Sequence, residues 1–143
     1  ITTSEELAID AVSDGAGAAG VRVGVELGPA SMIDCGSLDL RGQVAGDQGI
    51  GIDVKNGAQL SANGGILLGG VIATSATAGS TGVYFAGALT FGTDSSSVVG
   101  TVSATVDSVG LHFEDATMTT AASTLFDGLA NCSGEPCTAL LLD

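Results

Sequence analysis

Short stretches of alternating apolar and polar residues recur along the chain, and most of them begin with glycine. Copies of the phrase glycine, apolar, any residue, apolar begin at Gly20, Gly49, Gly82 and Gly110, at spacings of 29, 33 and 28 residues. A fifth stretch, Thr138–Leu142, follows at the same period without its glycine. Strict alternation over a few residues predicts a β-strand with one buried face, so the chain predicts one such strand per repeat.

Each repeat holds two further apolar stretches, separated by Gly, Ser, Asn and Asp. The second stretches cover residues 32–36, 67–70, 98–100 and 125–128, and the third cover 38–40, 71–74, 102–106 and the residues from Leu129 onward. Such coils bury their inward residues only by stacking on identical positions above and below. We therefore predict an all-β fold, a right-handed parallel β-helix (β-solenoid) of about five coils with three short strands per coil.

The alternation also predicts which side chains face the interior. The residues predicted to point inward are Val21, Val23, Ile50, Ile52, Val83, Phe85, Leu111, Phe113, Leu140 and Leu142. Arg22, Tyr84 and His112, with Gly51 and Leu141, are predicted to form one outward ladder. An antiparallel sandwich would alternate equally well, but it has no reason to repeat a glycine-led phrase at this period.

A chain of 143 residues predicts a single domain. We divide this solenoid, residues 1–143, into an N-terminal strand or cap at 1–19, four repeats of 28–33 residues over 20–137 and the start of a further coil at 138–143. Its predicted assembly ends are Leu7 and Ile9 at one end and Leu140 and Leu142 at the other. Uncovered strand edges favour association, so the ends indicate either head-to-tail stacking or a segment of a longer protein.

Composition excludes several partners. Three basic residues stand against 16 acidic ones, and the net charge of −13 opposes binding to nucleic acid or to an anionic membrane surface. The apolar runs have the length of strands, whereas a membrane-spanning helix needs about 20 apolar residues. We therefore predict no direct membrane insertion. The start at Ile1, without a signal peptide, suggests a processed chain or a piece cut from a longer one.

Three cysteines and one histidine are the candidate ligands for a metal. Cys132 and Cys137 lie in a turn-rich segment and are predicted to form a disulfide, while the pairing of Cys35 stays open. Together with His112 the cysteines lack the spacing of a zinc site. We therefore predict no metal and no cofactor.

Other motifs have simpler interpretations. Residues 15–20 match G-x-G-x-x-G, but a strand pattern follows instead of the helix that a dinucleotide site needs, so we interpret them as a turn. Residues 48–53 resemble one calcium-binding nonapeptide without a tandem copy. His112 and Glu114 are interpreted as exposed neighbours, and Thr117–Thr119 is the single Thr-x-Thr that ice binding would repeat. We predict that the protein is not an enzyme.

The phrases GIGIDVKNGAQL at residues 49–60 and GVYFAGALTF at 82–91 resemble passenger domains of bacterial autotransporters of the pertactin type. The shared pattern is a glycine-led strand, an Asn-Gly-Ala or Ala-Gly-Ala turn and a following Leu or Phe, over roughly residues 20–128. Filamentous-haemagglutinin-like adhesins and pectate-lyase-like proteins share this pattern. The resemblance implies surface display, adhesion or a structural stalk.

We therefore expect a non-enzymatic, extracellular or cell-surface β-solenoid with a structural or adhesive function. It would be either a subunit of a self-assembling surface fibre, bound to itself head to tail, or a segment of a bacterial surface adhesin that binds host or cell-surface molecules. The alternative is a carbohydrate-binding or carbohydrate-cleaving β-helix. That alternative predicts Arg22, Tyr84 and His112 along one groove.

Overall fold

Strands account for all of the regular secondary structure that the computed structural model describes. It describes residues 1–13, 21–45, 48–72, 79–104, 107–119, 123–134 and 136–143, and within these ranges there are 14 strands and no helix. The strands are β1 (Glu6–Ser13), β2 (Arg22–Leu27), β3 (Met32–Cys35), β4 (Ser37–Val44), β5 (Gly49–Val54), β6 (Gln59–Ala62), β7 (Ile66–Ile72), β8 (Thr81–Phe85), β9 (Ala88–Thr90), β10 (Ser96–Ala104), β11 (Val109–Phe113), β12 (Thr117–Thr119), β13 (Thr124–Cys132) and β14 (Thr138–Leu142).

Every third strand joins the same sheet, so the chain winds around three sides. Sheet 1 has the order β1, β4, β7, β10, β13; sheet 2 has β2, β5, β8, β11, β14; and sheet 3 has β3, β6, β9, β12. All neighbouring strands are parallel. The predicted parallel β-solenoid with three strands per coil is confirmed. The predicted placement of the second and third strands is wrong in three repeats, because residues 67–72 lie in the single strand β7, 98–104 in β10 and 125–132 in β13. The third side is formed instead by the short strands β3, β6, β9 and β12.

The number of coils differs from the prediction. Strands β1 to β12 make four complete turns, and β13 and β14 supply two sides of another, so the solenoid has about four turns rather than about five. The sequence pattern counted the partial coil as a whole one. Next to β3, Thr2 forms a parallel bridge with Asp34, which adds residues 1–3 to the edge of sheet 3.

The main core is built from side chains that stack on the same position of the next coil. In sheet 2 the inward ladders are Val25, Ile52, Val83, Leu111, Leu140 and Leu27, Val54, Phe85, Phe113, Leu142. Ile52, Val83 and Leu111 are completely buried. Stacking thus removes apolar surface from water that one coil alone would expose.

The register of the first repeats corrects the predicted alignment. Arg22 stacks on Gly49, whereas the glycine-led phrases place Arg22 beside Gly51. In the next pair of coils Ile52 stacks on Val83. Both differences are slips of two residues.

A slip of two residues keeps every side chain on its own face of the sheet, so alternation in the sequence does not detect it. The slip changes which apolar residues reach the main core. Val21, predicted to be inward, is 53% exposed and lies before β2. Val23 and Ile50 are only half-buried. Val25 occupies the position on Ile52 that the glycine-led alignment gives to Val23.

Sheets 1 and 2 touch along two stacked rows of glycine, which we call the glycine seam. Sheet 1 contributes Gly42, Gly70, Gly100 and Gly128, and sheet 2 contributes Gly24, Gly51, Gly82 and Gly110. A Cβ atom on Gly70 would lie 1.9 Å from the carbonyl oxygen of Gly82. The backbones are therefore in direct contact, which only glycine permits.

The seam divides the interior in two. Along β4 the main-core residues Leu38 and Leu40 precede Gly42, and Val44 follows it into a second cluster with Ile72, Val102 and Ala104. Cys132 packs against this second cluster. The confirmed disulfide joins Cys132 at the end of β13 to Cys137 just before β14, with Cα atoms 5.9 Å apart.

Cys35 is a core residue. Its side chain is buried, and its Sγ lies 3.7 Å from the carbonyl oxygen of Ser61. Burial, with the nearby Asp34 carboxylate, raises the pKa of the Cys35 thiol. A neutral, buried thiol is a poor nucleophile, so Cys35 serves packing.

Candidate functional site

The C-terminal end of the solenoid exposes three strand edges. Strands β12, β13 and β14 are the last members of their sheets, and within the described residues no strand covers their outer edges. An uncovered edge presents backbone N–H and C=O groups that can pair with a further strand. This end is the strongest candidate for a functional surface.

Apolar side chains fill the space between these edges. Phe113, Met118, Phe126, Leu140 and Leu142 line a depression of about 250 Å³, which we call the end surface. Leu140 is 44% exposed and Leu142 67%, although Leu111, one coil earlier on the ladder of Leu140, is completely buried. These residues stand on inward ladders of the solenoid, and no described strand covers them.

Aromatic contacts give the end surface a firm base. The ring of Phe113 lies edge-on to Phe126, with centroids 5.5 Å apart, and tilts against Phe85 at 6.1 Å. Phe126 also meets Phe91 edge-on at 6.2 Å. Edge-to-face pairs add to the stability of apolar burial, so the end surface has a defined shape.

The four residues predicted as assembly ends lie in β1 and β14, and they differ in exposure. Leu7 and Ile9 stand in β1, stack on Leu38 and Leu40, and are half-buried against the main core. Leu140 and Leu142 stand in the last strand and are exposed. Phe126 and Met118 complete the end surface, and the sequence signal for them was their place after the last glycine-led phrase.

The outward side of sheet 2 carries a polar ladder that differs from the predicted one. Glu26, Asp53, Tyr84, His112 and Leu141 stack in this order. The rings of Tyr84 and His112 meet edge-on at 5.1 Å, so these two predicted members are confirmed as neighbours. Arg22 stands on another ladder, because of the two-residue slip, and its Nη1 donates to the carbonyl oxygen of Ala45 at 3.2 Å.

Polar groups near Tyr84 are paired with one another. Lys55 Nζ lies 2.5 Å from Oδ2 of the buried Asp53 and 6.0 Å from the centre of the Tyr84 ring. The Tyr84 hydroxyl donates to Glu114, and His112 Nε2 lies 3.1 Å from an Asp143 oxygen. The hydrogen bond to Asp53 raises the pKa of Lys55, which keeps this ammonium charged.

These contacts form pairs along the surface rather than one converging site. A cavity of about 410 Å³ beside them is lined by Lys55, Asn56 and Tyr84 together with apolar groups. Neither Arg22 nor His112 lines it, so the groove that the carbohydrate alternative predicted does not form with those three residues.

Tyr84 supplies a spectroscopic test of this ladder. Donation to Glu114, with desolvation, raises the pKa of Tyr84 to about 12. As the only tyrosine of the chain, it can be followed alone by an absorbance titration of tyrosinate. We expect Glu114→Gln to move the midpoint toward the ordinary value of about 10, whereas the control Asp94→Asn leaves it unchanged.

The same shift predicts how stability depends on pH. Folded Tyr84 keeps its proton at a pH where the unfolded chain has lost it. The free energy of unfolding therefore falls as the pH rises from about 10 to about 12. A folded-state midpoint near 10 would contradict the Tyr84–Glu114 contact.

The remaining sequence motifs lie partly outside the described residues. The turn predicted at 15–20 and the threonines at 74–77 lie outside the described residues. Thr117 stacks on Ala88, so β12 and β9 do not form the threonine ranks that ice binding would use. Among the described residues, no three His, Cys, Asp or Glu side chains come together to hold a metal, and no helix there has the length and apolarity to cross a membrane.

No protein-family model, curated protein or solved structure matches the chain.

Proposed function

We propose that this chain is a non-enzymatic structural β-solenoid that acts outside the cell and associates end to end with further copies of itself. The exposed end surface carries the proposal, because it presents interior positions of the fold to solvent. Soluble proteins seldom leave a shaped apolar patch beside open strand edges without a partner. The partner that fits best is the opposite end of the same solenoid.

The inward ladders of the two ends carry apolar residues at matching positions. Continuing each ladder by one coil places Ile9 of a second copy on Phe126. In sheet 2 the same step places Val25 on Leu140 and Leu27 on Leu142. Apolar residues thus meet apolar residues across the joint. Val25 and Leu27 are already buried in the single chain, so burial of the exposed Phe126, Leu140 and Leu142 would supply the main driving force.

The order of the sides also continues across such a joint. The chain winds from sheet 1 to sheet 2 to sheet 3, and β14 lies in sheet 2. The next side is sheet 3, and in a second copy residues 1–3 lie on that side, next to β3. A second copy would therefore pair its edges in sheets 3, 1 and 2 with β12, β13 and β14 in turn.

Two observations support an extracellular location. Cys132 and Cys137 form a disulfide, and disulfides form and persist in oxidising compartments but are rare in cytosolic proteins. The resemblance of residues 49–60 and 82–91 to autotransporter passengers favours display at a cell surface. We propose a subunit of a surface fibre, or an adhesin segment whose end contacts extend a stalk.

Light scattering after size exclusion, at several protein concentrations, tests end-to-end association. We expect the mass to rise with concentration and negative-stain images to show linear particles one solenoid wide. Leu142→Asp puts a charge into the joint and should weaken association at least about tenfold. The matched control is Val71→Asp, because Val71 is 38% exposed on the outer side of the central strand β7.

The control separates two modes of contact. End-to-end association predicts that Val71→Asp behaves as the unmodified chain. A monodisperse monomer at every concentration would refute the proposal. Equal loss in both variants would point to side-by-side contacts and refute it as well, provided that thermal unfolding shows both to be folded.

A further inference from the structure

We infer that Ala139 limits how closely a second copy can stack on the end surface, and that Asp127 acts with it, so that end-to-end association stays reversible. The inference rests on the proposed function and concerns the affinity of end-to-end association. It follows from the register at the last strands rather than from the apolar contacts.

Ala139 occupies a seam position that glycine fills in every earlier coil. Thr138 stacks on Val109 and Leu140 stacks on Leu111, which places Ala139 on Gly110. The preceding members of this row are Gly24, Gly51 and Gly82. A methyl group therefore appears only at the last described strand of sheet 2.

The glycines show what such a methyl group would meet in a complete coil. A Cβ atom on Gly110 would lie 2.7 Å from the carbonyl oxygen of Ala139 and 2.8 Å from the amide nitrogen of Leu129. On Gly24 it would lie 2.6 Å from the Gly51 oxygen and 2.8 Å from the Gln43 nitrogen. Each row position thus faces backbone of the next coil at a distance that a real Cβ does not reach.

In a stack, the second copy supplies that next coil. Gln43 stacks on Val12, so the Ala139 methyl would meet the Val12 amide and the Gly24 carbonyl of the second copy. Backbone atoms have no free rotation by which to yield, so the copies must stand apart at the seam. The end surface on the other side of the seam can still make its apolar contact, and the result is a weakened joint.

Asp127 adds a second restraint on the outer side of sheet 1. It stacks on Val99, in the row that continues through Gly69 and Arg41 to Asp10. A stacked copy would place its Asp10 directly beside Asp127. Like charges on neighbouring strands repel, and the net charge of −13 strengthens the repulsion. Salt should therefore tighten the association.

The test compares Ala139→Gly with Ala130→Gly in the full chain, by sedimentation equilibrium and electron microscopy. Ala130 stands on an inward position of β13, two residues after the seam glycine Gly128. Its replacement by glycine makes a terminal strand as flexible as Ala139→Gly does, but it removes no methyl group from the seam. We expect Ala139→Gly to raise the association constant at least about tenfold and Ala130→Gly to leave it unchanged or lower. Asp127→Asn should raise it about threefold and flatten the salt dependence.

Failure of the inference is distinguishable from failure of the proposed function. If the unmodified chain associates and Ala139→Gly does not tighten it, the inference is wrong and end-to-end association stands. If the unmodified chain is monomeric while Ala139→Gly forms linear particles that Leu142→Asp abolishes, the inference holds and the proposed function fails. If the particles survive Leu142→Asp, or if both forms stay monomeric, the inference falls.

Discussion

Replacing Gly70 with alanine is expected to lower the free energy of unfolding by about 3 kcal/mol or more. The new Cβ would lie 1.9 Å from the Gly82 carbonyl oxygen and 2.6 Å from its carbon. Both are backbone atoms held by strands on either side, so sheets 1 and 2 must separate locally. A loss of this size is a large share of the stability of a typical domain.

The neighbouring residue provides the control. On Gly69 the nearest atom to an added Cβ would be Arg41 Cγ at 4.0 Å, which is an ordinary contact. Gly69→Ala should therefore leave stability unchanged or raise it slightly, because glycine inside a strand is unfavourable by about 0.5–1 kcal/mol. Urea denaturation followed by circular dichroism compares the two, and equal midpoints would contradict the seam.

Phe85→Ala is expected to cost about 3–5 kcal/mol. Phe85 is completely buried and is among the largest side chains that are fully enclosed. It stacks between Val54 and Phe113 along the main core, so its removal leaves a cavity that the rigid neighbouring coils cannot close. Phe126→Ala is the comparison, because Phe126 is 36% exposed at the end surface.

We expect the Phe126 variant to lose about half as much stability or less, since water can occupy the space that the ring leaves. Thermal and urea unfolding of both variants measures the difference. A loss at Phe126 equal to that at Phe85 would mean that the end of the solenoid is as enclosed as its centre.

The fold was predictable because a stacked coil must repeat its inward residues at a nearly constant period. The two-residue slip was not predictable, because Val23 and Val25 point to the same face of the strand and alternation alone does not distinguish them. Only the packing of side chains between coils distinguishes them, and in the structure Val25, not Val23, stacks on Ile52. The predicted place of Arg22 in the outward ladder was wrong for this reason.

The glycine seam was missed for a different physical reason. Gly70, Gly100 and Gly128 follow apolar pairs, a position typical of turns, so the sequence pattern predicts that they separate strands. In the structure they stand inside strands, two positions after a buried side chain such as Leu68 or Val98. The sequence signal for the seam was that these glycines recur at inward-facing positions. That a second sheet contacts them depends on tertiary structure, which the sequence pattern does not predict.

The disulfide at the last corner has a consequence for motion. In a stack of repeats each coil is held only by its neighbours, so fraying begins at the ends. Cys132 and Cys137 join the end of β13 to the residue before β14, so we expect opening of one strand to be coupled to opening of the other. Their amide hydrogens should exchange more slowly than those of β1 and β2, and reduction should remove the difference.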